Sequence, residues 1–149
     1  MRDTDISLYF GLFTEIGIIA QLSRAVMEAE FEDGLLISHF TVLNHLVRVS
    51  DGQTPMQLAR AFQIPKTSLT HTLMGLEQRG LIDMRSNPED GRSKRVWLTP
   101  KGRAWRQEAI ARVGSSFAFV AEAFPPEKVE PLMSQLTALR KLMDTARDT

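Results

Sequence analysis

Between Thr54 and Leu98 the chain reads, in order, as a short helix, a proline-marked turn, a helix that stops at a glycine, and two alternating strands. Few folds accommodate that order in so little chain. Thr54 followed by Pro55 is an N-cap and first-turn proline, and the helix it starts would bury Leu58, Ala59 and Phe62. Ile64-Pro65 makes the turn. From Lys66 to Arg79, Leu69, Leu73 and Leu76 recur at i, i+4 and i+7, and Gly80 supplies the left-handed stop. Ile82 and Met84 then alternate with Asp83 and Arg85, as Val96 and Leu98 do with Arg95 and Trp97, which is the period of two expected of strands. The polar run Asn87 to Lys94 between them predicts a hairpin with a turn-rich tip.

The flanks are helical and unusually apolar. From Ile6 to about Glu30, Phe10, Phe13, Ile16, Ile19, Leu22, Val26 and Met27 fall on several faces, which in a short chain points to a partner subunit. Ser38 is the expected N-cap of a second helix whose stripe is Phe40, Leu43, Leu46 and Val47, ending at Ser50-Asp51-Gly52. Thr99-Pro100 restarts helix, which runs to about Ala123 before Pro125-Pro126 breaks it. A last helix carries Val129, Leu132, Leu136, Leu139 and Met143 at spacings of three and four. The expectation is a mainly α chain of six helices with a small β-hairpin wing, a winged helix-turn-helix. Residues 1–149 form one domain in this reading, with the lobe at 38–99 and dimerisation helices at 6–31 and 100–146.

The length of 149 residues suits one core with extensions. No run of roughly 18 consecutive apolar residues occurs, and the N-terminus lacks a basic segment followed by an apolar one, so a cytoplasmic protein without a membrane partner is expected. With no cysteine there is no disulfide, thiolate zinc site, cysteine nucleophile or thiol redox sensor. The net charge of +0 hides segregation: between Pro55 and Arg112 stand 11 basic residues against 5 acidic ones, and the flanks are acidic in compensation. A polyanion-binding middle has that pattern, because phosphate neutralisation needs Lys and Arg on one surface.

A helix-turn-helix followed by a basic hairpin suits double-stranded DNA, since the major groove admits one helix while the hairpin reaches a neighbouring groove. The outer face of the fourth helix carries Lys66, Thr67, Ser68, Thr70 and His71 in place of the Glu and Lys that favour a solvated helix. Short side chains let the backbone approach base edges, hydroxyls and the imidazole can bond bases, and Lys66 suits a phosphate. The competing reading is a winged-helix module for protein interaction or scaffolding without DNA binding. It gives no reason to gather arginines and hydroxyls while leaving apolar anchors off that face.

The stretch Asp90-Gly91-Arg92-Ser93-Lys94 resembles the wing signature of the MarR family of bacterial regulators. Leu76 to Ile82 resembles the end of that family's recognition helix and its first wing strand, and Leu98-Thr99-Pro100-Lys101-Gly102 the start of its next helix. The similarity covers essentially the whole chain. It implies a homodimeric, DNA-binding transcriptional regulator, a repressor, on a pseudo-palindromic operator. It also implies that Arg92 enters the minor groove, that Asp90 holds that arginine or the wing tip, and that Lys94 and Arg95 add positive charge. His71 stands where many relatives carry arginine.

Family members that sense oxidants through cysteine have no counterpart here. Zinc sensing is not expected either: His39 and His45 lie six residues apart, which sets them on helix faces roughly 120° apart. What the resemblance implies instead is a small organic effector, an aromatic acid in many relatives, with Phe13, His39, Phe40 and Leu43 as candidate lining. No catalytic motif and no cofactor site presents itself, so the chain does not read as an enzyme.

Overall fold

The computed structural model describes residues 1–147. Its elements run α1 (Asp3–Ala29), α2 (Ile37–Arg48), α3 (Pro55–Phe62), α4 (Lys66–Gln78), β1 (Ile82–Asn87), β2 (Asp90–Leu98), α5 (Pro100–Ser116), α6 (Ala118–Ala123) and α7 (Pro126–Arg147). The architecture is the expected winged helix-turn-helix, with seven helices among the described residues where six were expected. The extra one arises because the helix that starts at Pro100 breaks at Phe117, whose φ of −93° and ψ of 7° leave the helical range. Gly114-Ser115-Ser116, just before the break, are weak helix formers.

The chain divides into two compact units, Met1–Val113 and the part from Gly114 onward. In the first, Leu43, Leu46, Leu58, Leu69, Leu76, Leu81, Ile82 and Val96 are each at most 2% exposed and form the core of the lobe. Beside it Phe31 stacks on Phe40 at 5.5 Å and meets Trp105 at 5.2 Å. In the second, Lys128 lies over the Phe124 ring at 5.5 Å, and Leu132, Met133, Leu136, Leu142 and Met143 of α7 are exposed.

Local caps explain most boundaries. Thr54 Oγ1 accepts the Gln57 N–H at 3.2 Å while Gln57 Oε1 accepts the Thr54 N–H at 2.9 Å, a reciprocal cap on α3. Gly80 adopts φ +71°, as a helix stop of this kind requires. Thr99 Oγ1 accepts the Gly102 N–H at 3.0 Å and donates to the Gly80 carbonyl at 2.7 Å, which ties the start of α5 to the end of α4. At Gly102 any Cβ would collide with the Leu81 carbonyl oxygen, so only glycine lets these segments touch.

The start of α2 corrects the expected cap at Ser38. The helix begins at Ile37 with Leu36 as N-cap. His39 Nδ1 accepts the Leu36 N–H at 2.9 Å, and Glu28 of α1 accepts the Ile37 N–H at 2.9 Å. An imidazole one turn on and a carboxylate from another helix thus replace the serine.

The hairpin is also tighter than expected. Asn87 pairs with Asp90 across a two-residue turn of Pro88 and Glu89, so Asp90 to Lys94 belong to β2 and not to an open tip. Its base is anchored by Asp51 Oδ1, which accepts the Leu98 N–H at 2.9 Å, and by the Val96 N–H, which donates to the Gln53 carbonyl at 2.8 Å.

Helix α1 leaves Leu8, Tyr9, Phe10, Leu12, Phe13, Ile18, Ile19 and Leu22 exposed. By length and composition it could cross a membrane, a property that a search for uninterrupted apolar runs passes over. Glu15 and Thr14 interrupt the run without offsetting its average.

Candidate nucleic-acid interface

Helix α4 packs Leu69, Thr72, Leu73 and Leu76 inward. That orientation leaves Lys66, Thr67, Ser68, Thr70 and His71 exposed together on its first turns. Thr70 Oγ1 donates to the Lys66 carbonyl at 2.9 Å, so its hydrogen is engaged while its oxygen can still accept. Met74, also exposed, continues the face at i+7 from Thr67, i+4 from Thr70 and i+3 from His71. Sequence reasoning missed it because it sought polar groups, although the helical spacing alone places it there.

Across from α4 stands the wing. Ser86 pairs with Lys94 and Asn87 with Asp90, which leaves Gly91, Arg92 and Ser93 outside the strand register. This bulge projects Arg92, whose side chain is 95% exposed. Asp90 Oδ1 accepts the Arg92 backbone N–H at 3.0 Å and approaches Arg92 Nε at 3.5 Å. The short bond holds the backbone. The longer, solvated one contributes little and leaves the guanidinium open to a new acceptor.

Lys94 is exposed beside it. Arg95 is not presented in the same way: its side chain is 29% exposed, its Nε donates to Asn87 Oδ1 at 3.1 Å, and its guanidinium pairs with Glu89 at 3.4 Å. It sits inside the wing. Between the wing and the starts of α3 and α4 lies a cleft of about 370 Å³, lined by Met56, Lys66, Met84, Asp90, Arg92 and Lys94 among others. Two lysines and an arginine thus border one channel.

The four candidate effector residues do not converge. Leu43 is 0% exposed and Phe40 is packed among aromatic rings, so both are core. Phe13 lies on the outer face of α1 with Ile6, Tyr9 and Phe10. His39 caps α2. A separate cavity of about 320 Å³ opens elsewhere, lined by Arg24, Glu28, Ile37, Thr41, Phe62 and Leu69 among others. Its lining comes from four separate elements, which periodicity along one helix could not reveal. Among the described residues no three of His, Asp or Glu gather so as to hold a metal ion.

His39 also touches α4, since its Nε2 lies 3.1 Å from where a Gly75 Cβ would stand. Burial chiefly, then the positive charges of Arg79 and His71, hold its pKa below 6.5, against the opposing pull of Glu28. The folded state therefore favours neutral His39, whose Nδ1 must be unprotonated to accept the Leu36 N–H. Its stabilising contribution is present above pH 6.5 and is lost as pH falls through the depressed folded value. Thermal melts from about pH 7.5 to about pH 5.5 are expected to fall more steeply for the wild type than for His39→Asn. Parallel profiles would remove His39 from the pH response.

Residues 33–93 match the model of the MarR family. A crystallised MarR family transcription regulator is 26% identical over 98% of this chain and 97% of its own, with a TM-score of 0.74. A mutant MarR from E. coli, solved complexed with operator DNA, is 22% identical over 87% of this chain and 93% of its own, with a TM-score of 0.74. CouR from Rhodococcus jostii RHA1, solved bound to p-coumaroyl-CoA, is 19% identical over 86% of this chain and 90% of its own, with a TM-score of 0.73. The family match thus takes in α2 to α4, β1 and the start of β2, and along nearly its whole length the chain shares the fold of a MarR family transcription regulator.

Proposed function

We propose that this protein is a cytoplasmic, sequence-specific transcriptional repressor that binds a pseudo-palindromic operator as a homodimer. The observation that carries the reading is the pairing of two exposed surfaces: the hydroxyl-rich start of α4, bordered by Lys66, and the bulge that projects Arg92. Thr67, Ser68, Thr70 and His71 would meet base edges and phosphates in the major groove, with Arg92 in the adjacent minor groove and Lys94 on the backbone. Twofold symmetry would set two such helices about one DNA turn apart.

The exposed apolar faces of α1 and α7 support the homodimer, because residues such as Phe10, Phe13, Leu132 and Met143 need cover. A second copy provides that cover without a membrane. A small organic effector, held in the cavity beside Arg24 and Glu28, would release the operator by binding more tightly to a state whose helix spacing does not fit it. The E. coli relative solved on operator DNA and the relative solved with p-coumaroyl-CoA support these two parts of the reading.

The test is a fluorescence-anisotropy titration against the DNA upstream of its own gene and against a random-sequence pool, at two salt concentrations, with sedimentation of the free protein. The expected result is a dimer that binds selectively and more weakly at high salt. A stable monomer, or equal and negligible binding to every duplex, would overturn the reading.

A further inference from the structure

Within the wing, Asn87 is only 8% exposed and joins three segments. Its Oδ1 accepts the Glu89 N–H at 3.1 Å and the Arg95 Nε–H at 3.1 Å. Its Nδ2 donates to Ser93 Oγ at 2.9 Å, and that hydroxyl donates in turn to the Asp90 carbonyl at 3.2 Å. Both lone pairs of one amide oxygen and one of its two amide hydrogens are therefore used to tie the turn, the bulge and β2 together.

We infer that Asn87 is a positioning residue for Arg92: by holding Ser93 and Arg95 it sets the bulge from which the guanidinium meets DNA. This rests on the DNA-binding reading of Arg92 given above. The bulge spans only Gly91, Arg92 and Ser93. Asp90 secures its first half, through the Arg92 N–H. Ser93 secures its second half, and Ser93 is oriented by Asn87. Glycine at 91 gives the segment conformational freedom, so the bonds on either side must restrain it. Without Asn87 the bulge has more conformations to lose on binding, and Arg92 would arrive unordered. Charge alone does not supply that order, because the Arg92 guanidinium touches Asp90 only at 3.5 Å in solvent.

A double-mutant cycle tests this, using a duplex selected from random-sequence DNA by the wild-type protein. Asn87→Ala is expected to weaken binding about tenfold in the native background and less than about twofold when added to Arg92→Ala, because it acts through that arginine. An equal loss in both backgrounds would make Asn87 a general structural residue and overturn the inference, as would no loss in either. Should Asn87→Ala fail to fold, Ser93→Ala carries the same cycle. It adds no charge, keeps both bonds to Asn87 Oδ1 and removes the hydroxyl that links Asn87 Nδ2 to the Asp90 carbonyl, with about a threefold loss expected, again confined to the background that retains Arg92. Wild-type protein that selects no duplex overturns the DNA-binding reading itself. Selection by the wild type with additive losses overturns only the role of Asn87.

Discussion

Arg92→Ala is expected to lower operator affinity roughly 10- to 100-fold without changing the melting temperature. The side chain is 95% exposed and makes one long contact to Asp90, so its removal costs the folded protein almost nothing. On DNA the same guanidinium would face the negative potential of a narrow minor groove, and a homodimer would present two copies. The logarithmic salt dependence should become shallower by about one for each phosphate-associated charge removed. Thr67→Ala provides the contrast: Thr67 lies on the exposed face of α4 that the proposed function sets against base edges, so the change should alter preference among sequences more than salt dependence. An Arg92→Ala protein that binds as tightly as the wild type at every salt concentration would remove the wing from the interface.

Leu43→Ala is the substitution expected to cost most in stability, about 2–5 kcal/mol, measured by urea or thermal unfolding. Leu43 is fully buried on the inner face of α2, together with Phe40, Val42 and Leu46. Truncating it leaves a cavity among close-packed neighbours that can collapse only in part. Such a loss distinguishes core packing from effector binding. A residue that lines an open site would tolerate the change and alter ligand affinity; a core residue lowers the unfolding midpoint whether or not an effector is present. A change below about 0.5 kcal/mol would contradict the packing seen here.

Helix existence and order were legible in the sequence because their signals are local. The Leu69, Leu73 and Leu76 stripe, the Thr54-Pro55 start, the Gly80 stop and the alternation on either side of Asn87 and Lys94 each depend on neighbours a few residues apart. The outward face of α4 followed from the inward one. Residue types likewise bounded the chemistry: the absence of cysteine and the concentration of basic residues in the middle of the chain needed no coordinates.

What the sequence by itself determined is therefore the winged helix-turn-helix, the polar outer face of α4 and the arginine of its wing. Tertiary structure alone decided where distant partners meet. Glu28 capping Ile37, Asp51 holding Leu98 and Arg106 bonding Asn44 join residues 9, 47 and 62 positions apart. The cavity beside Arg24 and the separation of Phe13, His39, Phe40 and Leu43 are of the same kind. So is Asn87, whose type suggests only a turn until folding buries it against Ser93 and Arg95. Periodicity reports which way a side chain points from its own element. Which group it meets depends on how separate elements pack, and that is a property of the whole fold.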